Sequence, residues 1–156
     1  MVETLREALE REHHEIDEGI EAFTAGAVDG EGGTGPLTRA MYALRRHIYL
    51  EEVFLFPPLR QGGLTMPIMV MLREHGQLWR TLDAIDAELE KDPTGASAGD
   101  LCQQLLGELD AHNSKEEPVI YPQADTVLGA EASAELRAYL DAGHLPDNWV
   151  AERAAA

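Results

Sequence analysis

Apolar side chains recur every three or four residues along four segments of the chain, the spacing that places them on one face of an α-helix. In the first segment, residues 3–25, the stripe consists of Leu5, Leu9, His13, Ile16, Ile20 and Phe23. The second segment begins at Pro36 and ends at the stop signals Pro57-Pro58 and Gly62-Gly63. The third covers about 65–91, and the fourth runs from about 97–100 to Val119 or Ile120. The pattern predicts four long amphipathic helices.

The intervening residues predict how these helices connect. The Gly-rich stretch 25–35 favours a flexible loop. Residues 131–142 predict a shorter fifth helix, and Gly143 to Trp149 predicts an irregular tail whose Leu145 and Trp149 cap one end of the molecule. Because short connections make neighbouring helices antiparallel, we expect an all-α, up-down-up-down four-helix bundle. The whole chain, 1–156, is expected to form one domain, with the bundle at about 3–125 and the helix and tail at about 130–150.

Composition supports helix and excludes several classes of partner. Lys and Arg number 12 against 29 Asp and Glu, which gives a net charge of −17. So acidic a chain repels nucleic acid and anionic membranes, and it contains no apolar run long enough to span a bilayer. The single cysteine, Cys102, rules out an intramolecular disulfide and a cysteine-based metal site, and it suits the reducing cytoplasm, which is the predicted location.

The apolar stripes are interrupted by polar residues in equivalent places. Each of the four stripes contains a histidine, and two contain a glutamate four residues later, so that both side chains point the same way from one helix. Buried charged groups of this kind need compensation. The residues that can converge at one depth of the bundle are His13, His47, Glu51, His75, His112 and Glu116.

The second half of the chain also repeats the first. Arg11-Glu12-His13 matches Arg73-Glu74-His75, and the His-x-x-x-Glu-Glu-x-x-x-aromatic-Pro pattern that begins at His47 recurs at His112. Two similar hairpins place the donors around a pseudo-two-fold axis, which suits two metal ions bridged by the two glutamates. With an oxide or hydroxide bridge, each ion keeps one open position for a diatomic molecule or peroxide. The alternative is a buried His–Glu hydrogen-bond network without metal.

Four segments together carry a family resemblance: REHHEID, HIYLEEVFLFP, REHGQLW and HNSKEEPVIYP. They resemble the haemerythrin-like, HHE cation-binding domain over residues 3 to about 125. The resemblance implies a four-helix bundle with a non-haem, oxo- or hydroxo-bridged di-iron centre that the six residues above ligate, although zinc or manganese can occupy similar ligands. Trp79 stands where oxygen-carrying members have a fifth histidine, and this difference favours peroxide or nitric oxide chemistry over simple oxygen carriage.

The family resemblance leaves the activity open. A sensing or binding module for O2, peroxide or NO, a peroxide-disproportionating or NO-reducing enzyme, and an iron sensor or store are all compatible with such a site. Peroxide consumption, or its absence, separates the enzyme from the others. No protein partner is identified.

Several side chains near the predicted site have two interpretations. His14 adjoins His13 but lies off the stripe. Glu52 and Glu117 either face solvent or orient an imidazole, and the alternative is that they bridge the metals. Trp79 is either a core residue or a gate over one metal. The tyrosines Tyr42, Tyr49 and Tyr121 can donate hydrogen bonds in the site or ligate a metal. Phe54, Phe56 and Tyr121 are expected to pack around the site, and Met66, Met69 and Met71 to fill the core. His144 is expected on the surface.

Overall fold

The computed structural model describes residues 3–29 and 33–155, and this part of the chain is helical without a β-strand. Its α-helices are α1 (Leu5–Asp29), α2 (Gly35–Leu50), α3 (Phe56–Gln61), α4 (Thr65–Lys91), α5 (Gly99–Val119), α6 (Tyr121–Val127) and α7 (Ala130–Ala142). A π-helical turn, Glu51–Leu55, joins α2 to α3, and a 3-10 turn, Ala96–Ala98, precedes α5.

The predicted loop 25–35 is shorter than expected. Helix α1 extends to Asp29 and α2 already begins at Gly35, while residues 30–32 lie outside the described part of the chain. At the start of α1, Thr4 and Glu7 each accept a hydrogen bond from the other's backbone N–H through their side chains. Asp125, from α6, accepts the backbone N–H groups of Leu5 and Arg6. These contacts satisfy donors that a helix start leaves free.

The second predicted segment is helical beyond its prolines. Pro57 and Pro58 occupy the first turn of α3, where a missing N–H costs no helical hydrogen bond. The preceding turn widens, so that the Phe56 N–H donates to the carbonyl of Glu51, five residues back. Helix α3 then stops at Gly62-Gly63, where Gly63 adopts a φ of 105°.

The four long helices enclose two apolar clusters. Helix α1 packs against α2 and α5, and α4 packs against α5. One cluster contains Ile16 of α1, Leu78 of α4 and Leu109 of α5, and the other contains Leu9 of α1 and Leu72 of α4. On α1 and α4 the histidine of the stripe falls between the residues of one cluster and those of the other. A polar layer therefore separates the two halves of the core.

The C-terminal tail lies at the level of this polar layer, so the prediction that Trp149 caps one end of the molecule is wrong. Trp149 packs edge-on against Trp79, in the middle of α4, with ring centroids 5.4 Å apart. Gly76 permits the approach, because a Cβ there would lie 2.4 Å from the carbonyl oxygen of Arg153. The other predicted cap, Leu145, donates its N–H to the hydroxyl of Tyr42.

Replacing Gly76 by Ala should displace the tail. The added methyl group collides with tail backbone, which has no rotamer to change, so we expect the free energy of unfolding to fall by about 1–3 kcal/mol. Chemical denaturation measures the change. Gly107→Ala is the matched control: Gly107 is exposed within α5 and a Cβ there meets nothing, so alanine should stabilise the helix by about 0.5–1 kcal/mol. Equal effects of the two substitutions would contradict the packing described.

Candidate metal centre

Four buried imidazoles meet in the polar layer, one from each long helix. They are His13 of α1, His47 of α2, His75 of α4 and His112 of α5, and each is at most 4% exposed. The rings form two pairs, with centroids 4.8 Å apart for His13–His47 and 5.0 Å apart for His75–His112. The structure thus brings together all four histidines of the predicted stripes.

Two fully buried glutamates lie between the pairs and contact both. Glu51 Oε2 lies 3.1 Å from His47 Nε2, and its Oε1 lies 3.0 Å from His75 Nε2. Glu116 Oε1 lies 3.2 Å from His13 Nε2 and 3.3 Å from His112 Nε2. Each carboxylate therefore faces one imidazole of each pair.

These six side chains form two overlapping sets of possible metal ligands. One set is His13, His47, Glu51 and Glu116, the other is Glu51, His75, His112 and Glu116, and within each set the ligand atoms lie within 4.8 Å of one another. Because both sets contain both glutamates, the arrangement offers two adjacent cation positions with shared carboxylates. Two imidazole nitrogens and two carboxylates per position are donors that iron, zinc and manganese accept.

The buried carboxylates lack the hydrogen bonds that their burial demands. Glu51 Oε1 and both oxygens of Glu116 accept no well-directed hydrogen bond from the described residues, although imidazole nitrogens lie close by. Buried carboxylate oxygens without partners are costly, and cations among them remove that cost. The donor set therefore fits bound cations better than a self-contained hydrogen-bond network.

Each imidazole is fixed from behind by another glutamate. The Nδ1–carboxylate distances are 2.8 Å for His13–Glu117 and His47–Glu12, and 2.9 Å for His75–Glu52 and His112–Glu74. A histidine that donates Nδ1–H to a carboxylate turns Nε2 inward as a ligand atom, and the hydrogen bond makes that nitrogen more basic. Of the solvent-facing, orienting and bridging interpretations of Glu52 and Glu117, the structure supports the orienting role.

Sequence reasoning missed the other two orienting glutamates, Glu12 and Glu74. The available signal was the repeated Arg-Glu-His, since each glutamate precedes a site histidine but contacts the histidine of the neighbouring helix. Each of these two carboxylates also accepts a hydrogen bond from a basic side chain. Arg46 Nη1 donates to Glu12 at 3.0 Å, and Lys115 donates to Glu74.

The electrostatics of the site favour the protonated form of His47, His75 and His112 and the charged form of Glu51 and Glu116. Burial alone lowers the pKa of His112, but Glu116 and Glu74 outweigh it and raise that pKa to about 10. Burial also lowers the pKa of His47, but Glu51 and Glu12 outweigh burial and raise this pKa well above its ordinary value. Burial raises the pKa of Glu116, yet His112 and His13 hold it well below the usual range. In the metal-free protein, protons on His47 and His112 therefore balance the negative charge of the buried glutamates.

Among the three candidate tyrosines, the structure places Tyr121 in the site. Its hydroxyl oxygen lies 2.8 Å from His13 Nε2 and 2.9 Å from His47 Nε2, and it donates to Glu51 Oε2 at 2.6 Å. Burial and the nearby carboxylates raise the pKa of Tyr121 well above its ordinary value. Tyr42 is 46% exposed, and Tyr49 packs against Phe54, Tyr139 and Trp149.

The other ambiguous residues lie outside the site. His14 and His144 are exposed on the surface. Trp79 is buried in the apolar core, between Trp149 and the guanidinium of Arg45, as the simpler of its two interpretations requires. Among the methionines, Met71 is buried and Met66 is 73% exposed, so only part of that group fills the core.

A surface cleft of about 480 Å³ approaches the site from the side of His75. Its walls include Phe56, which stacks on the His75 ring with centroids 5.3 Å apart, and Glu52, which binds His75 Nδ1. Trp149 and Glu152 of the tail also line the cleft, and the Glu152 N–H donates to Glu52. Phe56 and Glu52 thus form a single layer of side chains between this cleft and His75.

Fold and site together define a helical protein with a buried His/Glu cation site. The sequence matches the family model of the haemerythrin HHE cation-binding domain over residues 4–124, and the chain belongs to that family. Searches of curated proteins and of solved structures gave no match. In the part of the chain that the structure describes, no helix has the length and apolar character that a membrane span needs.

Proposed function

We propose that this protein holds two iron ions, joined by Glu51, Glu116 and an oxo or hydroxo bridge, and that it binds O2, peroxide or nitric oxide there. In this arrangement His13 and His47 hold one ion, and His75 and His112 hold the other. The observation that carries the proposal is the sharing of two fully buried glutamates between two sets of four donors. Zinc or manganese would suit the same atoms, so the identity of the metal is the first thing to test.

The surrounding residues supply what such a centre requires. An iron pair, when bound, supplies electrons and vacant coordination positions for small oxygen or nitrogen ligands. The two apolar clusters exclude water on either side, the orienting glutamates fix the imidazoles, and Glu51 and Glu116 cancel part of the cationic charge. The cleft beside Phe56 offers a small ligand a short path to the His75 side.

We further propose the up-down-up-down arrangement of the four long helices. It is supported by the order in which each helix meets the two core clusters. Helices α1 and α4 run from the cluster of Leu9 and Leu72 to that of Ile16 and Leu78, and α5 runs from Leu109 toward Ile120 in the opposite sense.

A cytoplasmic location and the absence of nucleic-acid or membrane partners are proposed from composition.

Metal analysis and a visible spectrum of the iron-loaded protein test the main proposal. We expect about two irons per chain and the charge-transfer band of an oxo-bridged ferric pair. The variants His13→Ala and His14→Ala form a matched pair, because the residues are adjacent but only His13 is buried in the site. The first should lose at least one ion, and the second should keep both. Wild-type protein that retains fewer than two irons per chain after loading would refute the proposal.

A second candidate, peroxide disproportionation, draws support from the cleft and from the presence of tryptophan, which is not a metal ligand, at position 79. The balanced reaction converts two H2O2 to two H2O and one O2. Steady-state peroxide consumption by the iron-loaded protein, lost in His47→Ala, would support turnover. Colour that bleaches on reduction and returns with oxygen, without net consumption, would instead support a binding or sensing module. NO reduction and iron sensing remain alternatives to be assayed in the same way.

A further inference from the structure

The two halves of the site differ at one equivalent position. In the repeated pattern, the residue before the proline is Phe56 in the first half and Tyr121 in the second. Both rings lie against a site histidine, with centroids 5.3 Å apart for Phe56–His75 and 5.2 Å apart for Tyr121–His13. Both side chains are buried, so the halves match in shape but only one of them presents an oxygen.

The oxygen of Tyr121 is placed as a donor around one cation position. It lies 2.8 Å from His13 Nε2, 2.9 Å from His47 Nε2 and 2.6 Å from Glu51 Oε2. Atoms that bind a common metal at about 2.1 Å and at right angles lie about 3.0 Å apart. The hydroxyl is therefore spaced from three atoms of this set much as neighbouring ligands of one ion are.

We propose that Tyr121 is a further ligand of the metal held by His13 and His47, so that the metal held by His75 and His112 is the one open to small ligands. This assignment rests on the proposed two-cation function. On binding, the phenol oxygen exchanges its O–H bond for a bond to the cation, and the proton is released to solvent.

The surroundings of the second position agree with its being the open one. Phe56 offers no polar atom to a metal on the His75 side, and the cleft of about 480 Å³ lies directly outside Phe56 and Glu52. Tyr121 is fully buried and is not among the residues that line this cleft. An incoming ligand thus meets the His75 position first.

Ferric protein provides a direct test, because phenolate bound to Fe(III) gives a visible charge-transfer band and tyrosinate vibrations in resonance Raman spectra. We expect both signals in the wild type and their loss in Tyr121→Phe, which removes only the hydroxyl and should still bind two irons. Tyr49→Phe, a tyrosine outside the site, should keep them. Phe56→Tyr, the mirror substitution, should strengthen them by adding a second phenol.

Azide serves as the probe of the open position. The wild type should bind one azide per di-iron chain, and Tyr121→Phe should bind up to two. Two irons per chain without tyrosinate signals, or signals unchanged in Tyr121→Phe, would overturn the role of Tyr121 while leaving the two-cation function intact. Fewer than two irons per chain would contradict that function. A single iron with tyrosinate signals would support Tyr121 as a metal ligand but contradict the binding of two ions.

Discussion

Replacing Glu116 by Gln should reduce metal binding from two ions per chain to one at most. Glu116 belongs to both donor sets, so a single substitution removes a negative ligand from both positions. Glutamine keeps the size of the side chain but has neither the charge nor the second anionic oxygen that a bridge needs. Equilibrium dialysis with metal analysis measures the stoichiometry. The metal-free variant should also be less stable, by about 3 kcal/mol, because His13 and His112 lose a buried partner.

The adjacent residue provides the control. Glu117 carries the same carboxylate one position later, but it binds His13 from the outer side at Nδ1. Glu117→Gln should therefore keep two ions per chain and weaken one of them by about 10–100-fold. If Glu116→Gln bound two ions as tightly as the wild type, Glu116 would not bridge the two positions.

Metal affinity should rise steeply with pH. In the metal-free protein, burial lowers the pKa of His75 and of His47, but their glutamate partners outweigh burial and raise both, and the pKa of His112 stands at about 10. His47 and His112 therefore carry protons at pH 7, and each must release its proton when a cation binds. Glu116 and Glu51 have lowered pKa values and bind no proton in this range.

Each proton released changes the affinity about tenfold per pH unit. If each metal ion displaces at least one proton, the metal affinity should fall about 100-fold or more between pH 8 and pH 6. Titration calorimetry with Co(II), in buffers of different ionisation enthalpy, measures both the affinity and the number of protons. An affinity that stays constant over this range would show that the imidazoles are neutral before binding, contrary to the ion pairs described.

The helical fold and the six central residues could be predicted from sequence because both follow from local spacing. Apolar residues at intervals of three and four place His13 and His75 on core-facing stripes, and the i, i+4 relation of His47 to Glu51 fixes their common direction on one helix. The structure brings these residues together as expected. Their ligation of metal stays a prediction until the ions are measured.

The hydrogen-bond partners of the site residues could not be predicted, because they depend on the packing of helices that are distant in sequence. Glu12 binds His47 rather than its neighbour His13, and the choice of Tyr121 over the other tyrosines depends on where α6 starts relative to α1. The predicted position of the C-terminal tail was wrong for the same reason, because its packing against Gly76 is a contact between segments distant in sequence.

The sequence by itself determined the helices, their buried faces and the types of donor on them, since these depend on periodicity within a few residues. Only the tertiary structure decided the orienting glutamates, the phenol at one cation position and the cleft at the other. Those features depend on the rotation and register of one helix against the next, which the π-helical turn Glu51–Leu55 shifts locally and which no short-range spacing encodes.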